Sequence, residues 1–129
     1  MARLSLRINF EPPGAALGPG MVQLLEQVAA HGSIRAAAAS MNMSYRKAWL
    51  LIQKMQATFG GAVVTSAIGG STGGGSQLTQ LGVVLLETFR RVERSAASAT
   101  ESDLRTLDGM VKADVKPRDP ARRKRAKPG

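Results

Sequence analysis

The stretch from Gly32 to Phe59, GSIRAAAASMNMSYRKAWLLIQKMQATF, decides the fold. Its first half is rich in alanine, and its second half repeats apolar residues at helical spacing. Ser33 and Ser44 each stand just before one of these segments, where a hydroxyl can accept a hydrogen bond from a first-turn amide. The pattern therefore predicts two helices joined by a tight turn.

The second of these helices, from Ser44 to Phe59, has one apolar and one polar face. Ala48, Ile52 and Met55 repeat at the spacing of a buried face, with Leu51 and Phe59 extending it. A short alanine-rich helix lets the second helix cross it closely, so that the polar face is directed outward. The residues outside the apolar face are Tyr45, Arg46, Lys47, Trp49, Gln53 and Lys54.

A helix pair of this kind is typical of a helix-turn-helix, whose second helix enters a DNA major groove. The alternative is an ordinary helical hairpin whose basic residues are only solvated. The charge distribution favours DNA, since the net charge is +9 and no Asp or Glu lies between Glu26 and Glu87. A polyanion would meet no repulsive side chain there. A region made of core and glycine loop would also contain few charges, and this explanation stays open.

Composition limits the other classes of function. The 129 residues predict one compact domain with appendages. There is no cysteine, and His31 is the single histidine, which we expect to lie at a helix C-terminus. We therefore expect no metal, no cofactor, no catalytic residues and no enzyme. No apolar run approaches a membrane span and the first residues lack a secretory signal, so we expect no membrane partner and a cytoplasmic protein.

Two further segments predict β-structure. Leu4 to Phe10 alternates apolar and polar residues, as a half-buried strand does, and we expect a later hairpin to pair with it. That hairpin would join the β-branched run Ala62 to Ile68, the loop GGSTGGGS and the short strand Gln77-Leu78. The loop lacks the lysine of a nucleotide phosphate cradle. A wing that contacts DNA is the interpretation, with a flexible glycine linker as the alternative.

After the hairpin, Thr79 is positioned to cap a long helix. Apolar residues repeat along it, and we expect the part from Val92 onward to meet a second copy of the chain. Thr100 and Asp103 resemble a capping pair for one more short helix. The basic segment 116–129 is predicted to be disordered, and either contacts phosphates or only aids solubility. Its basic side chains near the end are Arg122, Arg123, Lys124, Arg125 and Lys127.

The combined pattern resembles a known family. Gly32-Ser33-Ile34, Met43-Ser44-Tyr45, Ala48-Trp49, the wing glycines and Leu78-Thr79 resemble the N-terminal DNA-binding domain of ModE-type molybdate-responsive regulators. The match covers about residues 3–95 and, less closely, resembles LysR-type regulators. It implies a mainly α fold with a small β-sheet: a winged helix-turn-helix over 1–78, dimerisation helices over 79–115 and the tail over 116–129. The implied partners are double-stranded DNA and a second copy of the chain.

The resemblance also implies roles for individual residues. By position, the base edges would be contacted from the helix Ser44 to Phe59, where Arg46 suits guanine and Gln53 suits adenine. Trp49 would either face bases or lie partly in the core. The base-facing residues would be Tyr45, Arg46, Trp49 and Gln53, and the phosphate contacts would come from Ser33, Arg35, Ser44, Lys47, Lys54, Ser71 and Thr72.

Two departures from the family pattern bear on function. Ser66 stands where the family usually has an arginine before the wing glycines. The family's regulators also carry C-terminal oxyanion-binding domains, and about 30 residues follow the dimer helix here. We therefore expect a transcriptional regulator without an oxyanion-sensing domain and without direct molybdate binding. The alternative is a protein-interaction adaptor, or a non-specific DNA-binding protein, that keeps the winged fold.

Overall fold

The computed structural model describes residues 1–67 and 75–112. It is mainly helical, as the sequence predicted, and it contains two small antiparallel sheets where one was expected. The predicted tail 116–129 lies outside the described residues. The elements in chain order are β1 (Ile8–Phe10), β2 (Ala15–Leu17), α1 (Pro19–His31), α2 (Ile34–Ser40), α3 (Tyr45–Phe59), β3 (Val64–Ala67), β4 (Gly75–Leu78), α4 (Gln80–Ala99) and α5 (Glu101–Met110).

The three predicted helix caps are confirmed. The Ser33 hydroxyl accepts a hydrogen bond from the Ala36 amide at 2.9 Å at the start of α2. Ser44 accepts from the Lys47 amide at 3.0 Å and so opens α3. Thr79 opens α4 in the same way. Each cap satisfies an amide that the helix itself leaves without a partner, so these hydroxyls set the helix starts.

The core lies where α1, α2 and α3 meet. Ala37 and Ala38 of α2 are buried, and their small side chains let the neighbouring helices approach closely. Val63, before β3, and Phe89, from the middle of α4, close the core. The long helix therefore belongs to the same packed unit as the helix pair. The core is formed by Leu17, Val22, Leu24, Leu25, Val28, Ala37, Ala38, Ala48, Ile52, Met55, Val63 and Phe89.

The prediction that the N-terminal strand pairs with the later hairpin was wrong. β1 pairs with β2, in the register Ile8 to Leu17 and Phe10 to Ala15, and not with the later hairpin. The turn between them closes through the Gly14 amide, which donates to the Phe10 carbonyl, and Gly14 has a positive φ of 85° that suits glycine. A partner only a few residues away costs less loop-closure entropy than a distant one. The alternating burial from Leu4 to Phe10 was predicted correctly.

The second hairpin is the predicted wing. β3 and β4 are antiparallel, with Val64 opposite Leu78 and Ser66 opposite Ser76. The Ser76 amide donates to the Gly32 carbonyl at 2.7 Å, so the base of the wing is attached to the α1–α2 corner. The loop 68–74 lies outside the described residues.

The long helix α4 is partly packed and partly exposed. Leu81, Leu85 and Leu86 lie against the core, whereas Val92 is 40% exposed. The predicted capping pair at Thr100 was wrong, because the Thr100 hydroxyl donates back to the Ala96 carbonyl at 2.7 Å and gives α5 no side-chain cap. Within residues 1–67 and 75–112, no helix combines the length and the apolar character needed to cross a membrane.

Candidate nucleic-acid interface

The faces of α3 follow from helical geometry. Successive residues are rotated by about 100°, so residues three, four and seven apart share a face. Ala48, Ile52 and Met55 are buried against the core. Directly opposite this buried face lie Arg46 and Leu50. The outward side of α3 is thus centred on these two positions and faces away from the protein.

The predicted base-contacting residues are all exposed. Tyr45 is 42% and Trp49 is 43% exposed, and Arg46 and Gln53 are exposed as well. Trp49, for which the sequence left two positions open, is absent from the core cluster. All four side chains are therefore available to a partner that approaches α3 from outside.

Leu50 belongs to this face and was missed by the sequence reasoning. It is 47% exposed, between Arg46 one turn before and Gln53 one turn after. Leucine is a common core residue, so only its position relative to the buried face distinguishes it from Ile52. The angular count from Ala48 and Met55 could have found it.

One flank of α3 is connected to α2. The guanidinium of Arg35 lies over the ring of Tyr45, 4.6 Å from its centroid. A cation this close to an aromatic face is attracted to it and is held in place. Arg35 was predicted near phosphates and Tyr45 near bases, and the structure brings the two side chains together.

The two serines predicted near phosphates serve as helix caps. Each hydroxyl oxygen of Ser33 and Ser44 accepts a backbone hydrogen bond. A hydroxyl also has one proton to donate, so this hydrogen is available to a phosphate oxygen. Capping and phosphate contact are therefore compatible at both positions.

The opposite flank carries the two lysines of α3. Lys47 and Lys54 are seven residues apart, so they lie on one side of the helix, about 10 Å apart along its axis. They are roughly 180° around the helix from Tyr45. Both border a groove next to the N-terminal hairpin. Cations therefore lie on both flanks of the outward face.

The described part of the wing lies on the Arg35 side. Gly75 is packed so closely that a Cβ there would come within 2.9 Å of the Gly32 oxygen. Ser33 follows directly in the chain, so the wing base and the start of α2 are adjacent. Ser66 of β3 is exposed. Ser71 and Thr72, predicted as wing contacts, lie outside the described residues.

The ion pairs of the described residues avoid this surface. Arg90 of α4 pairs with Glu26 of α1 at 2.9 Å and with Glu93 at 2.7 Å. The hydrogen bond that Arg90 donates to Glu93, together with the charge of Glu26, raises the pKa of Arg90 above its ordinary value. The remaining pairs lie on α5 and the N-terminus. Among residues 1–67 and 75–112, no ion pair involves Arg35, Arg46, Lys47 or Lys54.

His31 has a structural position. It is the last residue of α1, as predicted, and its ring nitrogen lies 3.0 Å from the Gln27 side-chain oxygen. Within the described residues, no three His, Cys, Asp or Glu side chains come together as metal ligands would.

Comparison with known proteins identifies the domain. The family model described as bacterial regulatory helix-turn-helix protein, lysR family, matches residues 20–83. Residues 20–83 are therefore similar to a LysR-type helix-turn-helix domain. The DNA-binding domain of CbnR, crystallised with DNA, has the same fold, with a TM-score of 0.54 and 22% identity over 68% of this chain and 95% of that one. The predicted winged helix-turn-helix fold is thereby confirmed.

The similarity to molybdenum-related proteins extends beyond residues 20–83. The molybdenum-pterin-binding protein MopB of Rhodobacter capsulatus is 35% identical over 82% of this chain and 39% of its own length. The molybdenum transport protein ModE of Azotobacter vinelandii is 32% identical over 89% of this chain and 42% of its own. The DNA-binding transcriptional dual regulator ModE of Escherichia coli is 35% identical over 55% of this chain and 27% of its own length. The ModE-type resemblance is confirmed, and the chain spans about two fifths of the first two relatives.

Proposed function

We propose that this protein is a sequence-specific DNA-binding transcriptional regulator that places α3 in the major groove. The observation that carries the proposal is the outward face of α3. It presents Arg46, Leu50 and Gln53 opposite a fully packed face, in a part of the chain that has no Asp or Glu from residue 27 to residue 86. An α-helix about 10–12 Å wide fits a groove about 12 Å wide.

Base recognition is assigned to the centre of this face. Arg46 donates two hydrogen bonds to O6 and N7 of a guanine, and Gln53 forms a paired contact with an adenine. Leu50 packs against the C5-methyl group of a thymine, since leucine offers only apolar contact. Tyr45 and Trp49 lie along the edge of the same face and contact neighbouring bases.

Phosphate contacts are assigned to the flanks. Arg35, Lys47 and Lys54 are cations without an ion pair among the described residues, and the flanks of a helix in the major groove face the two phosphate backbones. The hydroxyls of Ser33 and Ser44 each keep one proton that can be donated to a phosphate oxygen. Ser71 and Thr72 of the wing loop complete the proposed set.

We also propose that the protein acts as a homodimer in the cytoplasm, with residues 1–78 as the DNA-binding unit and 79–115 as the dimerisation segment. Val92 on α4 and Leu107 and Met110 on α5 are exposed apolar side chains, at 40%, 55% and 68%. A second copy would remove them from water. A two-fold dimer would place the two recognition helices about 34–36 Å apart, or a multiple of that.

An adaptor function is the second candidate. Tyr45, Trp49 and Leu50 are three large side chains, each more than 40% exposed, on one helix. Aromatic residues are enriched in protein interfaces as well as in DNA contacts. A protein partner on the same face of α3 would therefore exclude DNA.

Selection from random duplex DNA tests the proposal. The duplexes retained by the full chain are sequenced, and affinity for the selected and a shuffled duplex is measured by fluorescence anisotropy at several salt concentrations. We expect the selected duplex to bind roughly 10³-fold tighter or more, with affinity falling steeply as salt rises. Arg46→Ala should lose this preference, whereas Arg3→Ala, which removes an equal charge outside α3, is the matched control and leaves both affinities unchanged. Equal affinity for both duplexes would support non-specific binding, and no binding would support the adaptor.

A further inference from the structure

A groove runs along the side of α3 that faces the N-terminal hairpin. Its volume is about 550 Å³. α3 forms one wall, and the other wall comes from Arg7, the end of the β1–β2 turn and the first turn of α1. The groove is thus continuous with the outward face of α3 on the flank away from the wing. Its lining residues are Arg7, Gly14, Ala15, Ala16, Gly18, Pro19, Gly20, Met21, Met43, Lys47, Leu51, Lys54 and Thr58.

The charge of the groove is positive. Arg7 faces Lys47 and Lys54 from the opposite wall, and the lining contains no Asp or Glu. Glu11, in the β1–β2 turn, lies outside the lining. Among the described residues, none of the three cations is in an ion pair. Three cations from two walls of one groove favour an anionic occupant.

The start of α1 adds to this field. Gly18 is the residue before the helix and has no side chain to cap it, and the first turn contains no acidic residue. Gly20 and Met21 belong to this turn and line the groove. The N-terminal end of a helix carries a partial positive charge. A Cβ built on Gly20 would meet nothing within 4 Å, so the space beside this residue of the first turn is open.

Arg7 contacts two of its neighbours, Asn9 and Gly18. Its Nε donates to Oδ1 of Asn9 at 3.2 Å, which leaves the terminal guanidinium nitrogens to other partners. Its side chain passes Gly18, where an added Cβ would lie 3.9 Å from Cγ of Arg7. The guanidinium of Arg7 is exposed and keeps its terminal nitrogens for an anion, and this group suits the geometry of a phosphate.

The location of the groove decides which anion it fits. A helix in the major groove has a phosphate backbone on each side. The wing and Arg35 are on one flank of α3, and this groove is on the other. We propose that the groove holds the DNA sugar-phosphate backbone, with Arg7 as a phosphate contact beside Lys47 and Lys54. This inference rests on the proposed function, and it extends the DNA contact to the N-terminal hairpin, which no family motif in this chain assigns.

The salt dependence of binding tests the proposal. Arg7→Gln removes one cation, and we expect the slope of log affinity against log salt to fall by about 0.9, the value for one phosphate contact. Because a phosphate carries no sequence information, the ratio of selected to shuffled affinity stays unchanged. Arg3→Gln is the matched control. It removes the same charge four residues earlier on the exposed side of the N-terminal segment, outside the groove, and leaves the slope near its wild-type value.

A second measurement locates the contact. Methylphosphonate groups, which are uncharged, replace single phosphates along the selected duplex. We expect one such phosphate on the flank of the site away from the wing. Its replacement should lower the DNA affinity of the wild-type protein and leave the affinity of Arg7→Gln unchanged. Arg7→Lys keeps most of the salt slope, because the charge remains.

The outcomes separate this inference from the proposed function. If Lys47→Gln lowers the slope and Arg7→Gln behaves as Arg3→Gln does, the groove inference is overturned and the proposed function stands. If no variant alters the slope, or duplex DNA does not bind, both are overturned. Binding of inorganic phosphate at Arg7, seen by NMR, with an unchanged slope in Arg7→Gln would make the groove a small-anion site and would also overturn the inference.

Discussion

The carbonyl oxygen of Val63 lies directly against the α-carbon of Gly82. The same oxygen accepts a hydrogen bond from the Thr79 amide at 3.0 Å, so the first turn of α4 is fixed to the segment that leads into the wing. A Cβ on residue 82 would overlap this oxygen. Glycine is needed here for close approach, and not for an unusual backbone angle.

Gly82→Ala is therefore expected to destabilise the protein, although alanine favours helices. The overlap forces α4 away from Val63, and overpacking of this kind costs about 1–3 kcal/mol of unfolding free energy. Gly109→Ala in α5 is the control, since a Cβ there meets nothing within 4 Å. That variant should be stabilised by up to about 1 kcal/mol. Urea denaturation measures both, and a Gly82→Ala protein as stable as wild type would contradict the packing described here.

The caps were the part of the fold that sequence could predict best. A cap depends on a hydroxyl and an amide three residues apart, so Ser33, Ser44 and Thr79 were identified correctly from local sequence. Thr100 has the same local pattern, and its hydroxyl turns back to Ala96 instead. Local sequence cannot distinguish these two hydrogen bonds, because both lie within one turn of the hydroxyl.

Long-range relationships were less accessible. The alternation up to Phe10 predicted a strand, but its partner depends on which segment comes nearest in space, and the adjacent β2 pairs with it. The exposure of Arg46 and Gln53 follows from the sequence, because helical periodicity fixes which residues oppose Ala48 and Ile52. Their contact with DNA stays a prediction. Leu50 was missed because its chemistry resembles that of the core. The groove at Arg7 required the hairpin to be positioned, and no local pattern contains that information.

Removal of the Ser44 cap should weaken the fold and not only the DNA contact. Ser44→Ala leaves the Lys47 amide without its partner, and such losses cost about 0.5–2 kcal/mol. Ser98→Ala, on the exposed surface of α4, is the control and changes stability little. Ser44→Asp restores the cap while adding a negative charge, so we expect recovered stability with reduced DNA affinity. Thermal and anisotropy measurements check the two effects, and equal stability of all three variants would contradict the cap.

Leu50 should recognise the methyl group of a thymine. Replacing that thymine with uracil removes only the methyl group, and we expect a loss near 0.8 kcal/mol, or about fourfold in affinity. In Leu50→Ala the same replacement should have no effect. Uracil at the other thymines of the site is the control. If no thymine shows this dependence on Leu50, the side chain does not lie against the base edges.

Val92→Asp should dissociate the proposed dimer. A charge in an apolar interface loses its hydration without gaining a partner, so we expect at least a tenfold weaker association. Ser98→Asp adds the same charge on a different side of α4 and keeps the dimer. Sedimentation equilibrium measures both. A wild-type protein that is monomeric at micromolar concentration would contradict the interface on α4.

Arg46 provides the most direct test of the central claim, that the outward face of α3 lies in the major groove. Single guanines of the selected site are replaced by 7-deazaguanine, which lacks the N7 acceptor, and affinities are measured for wild type and Arg46→Ala. We predict one guanine per half-site at which this replacement lowers the binding free energy of the wild-type protein by about 1–3 kcal/mol. The same replacement should not change the binding free energy of Arg46→Ala. If Arg46→Ala weakens every duplex equally and couples to no guanine, α3 does not contact the bases and the claim is wrong.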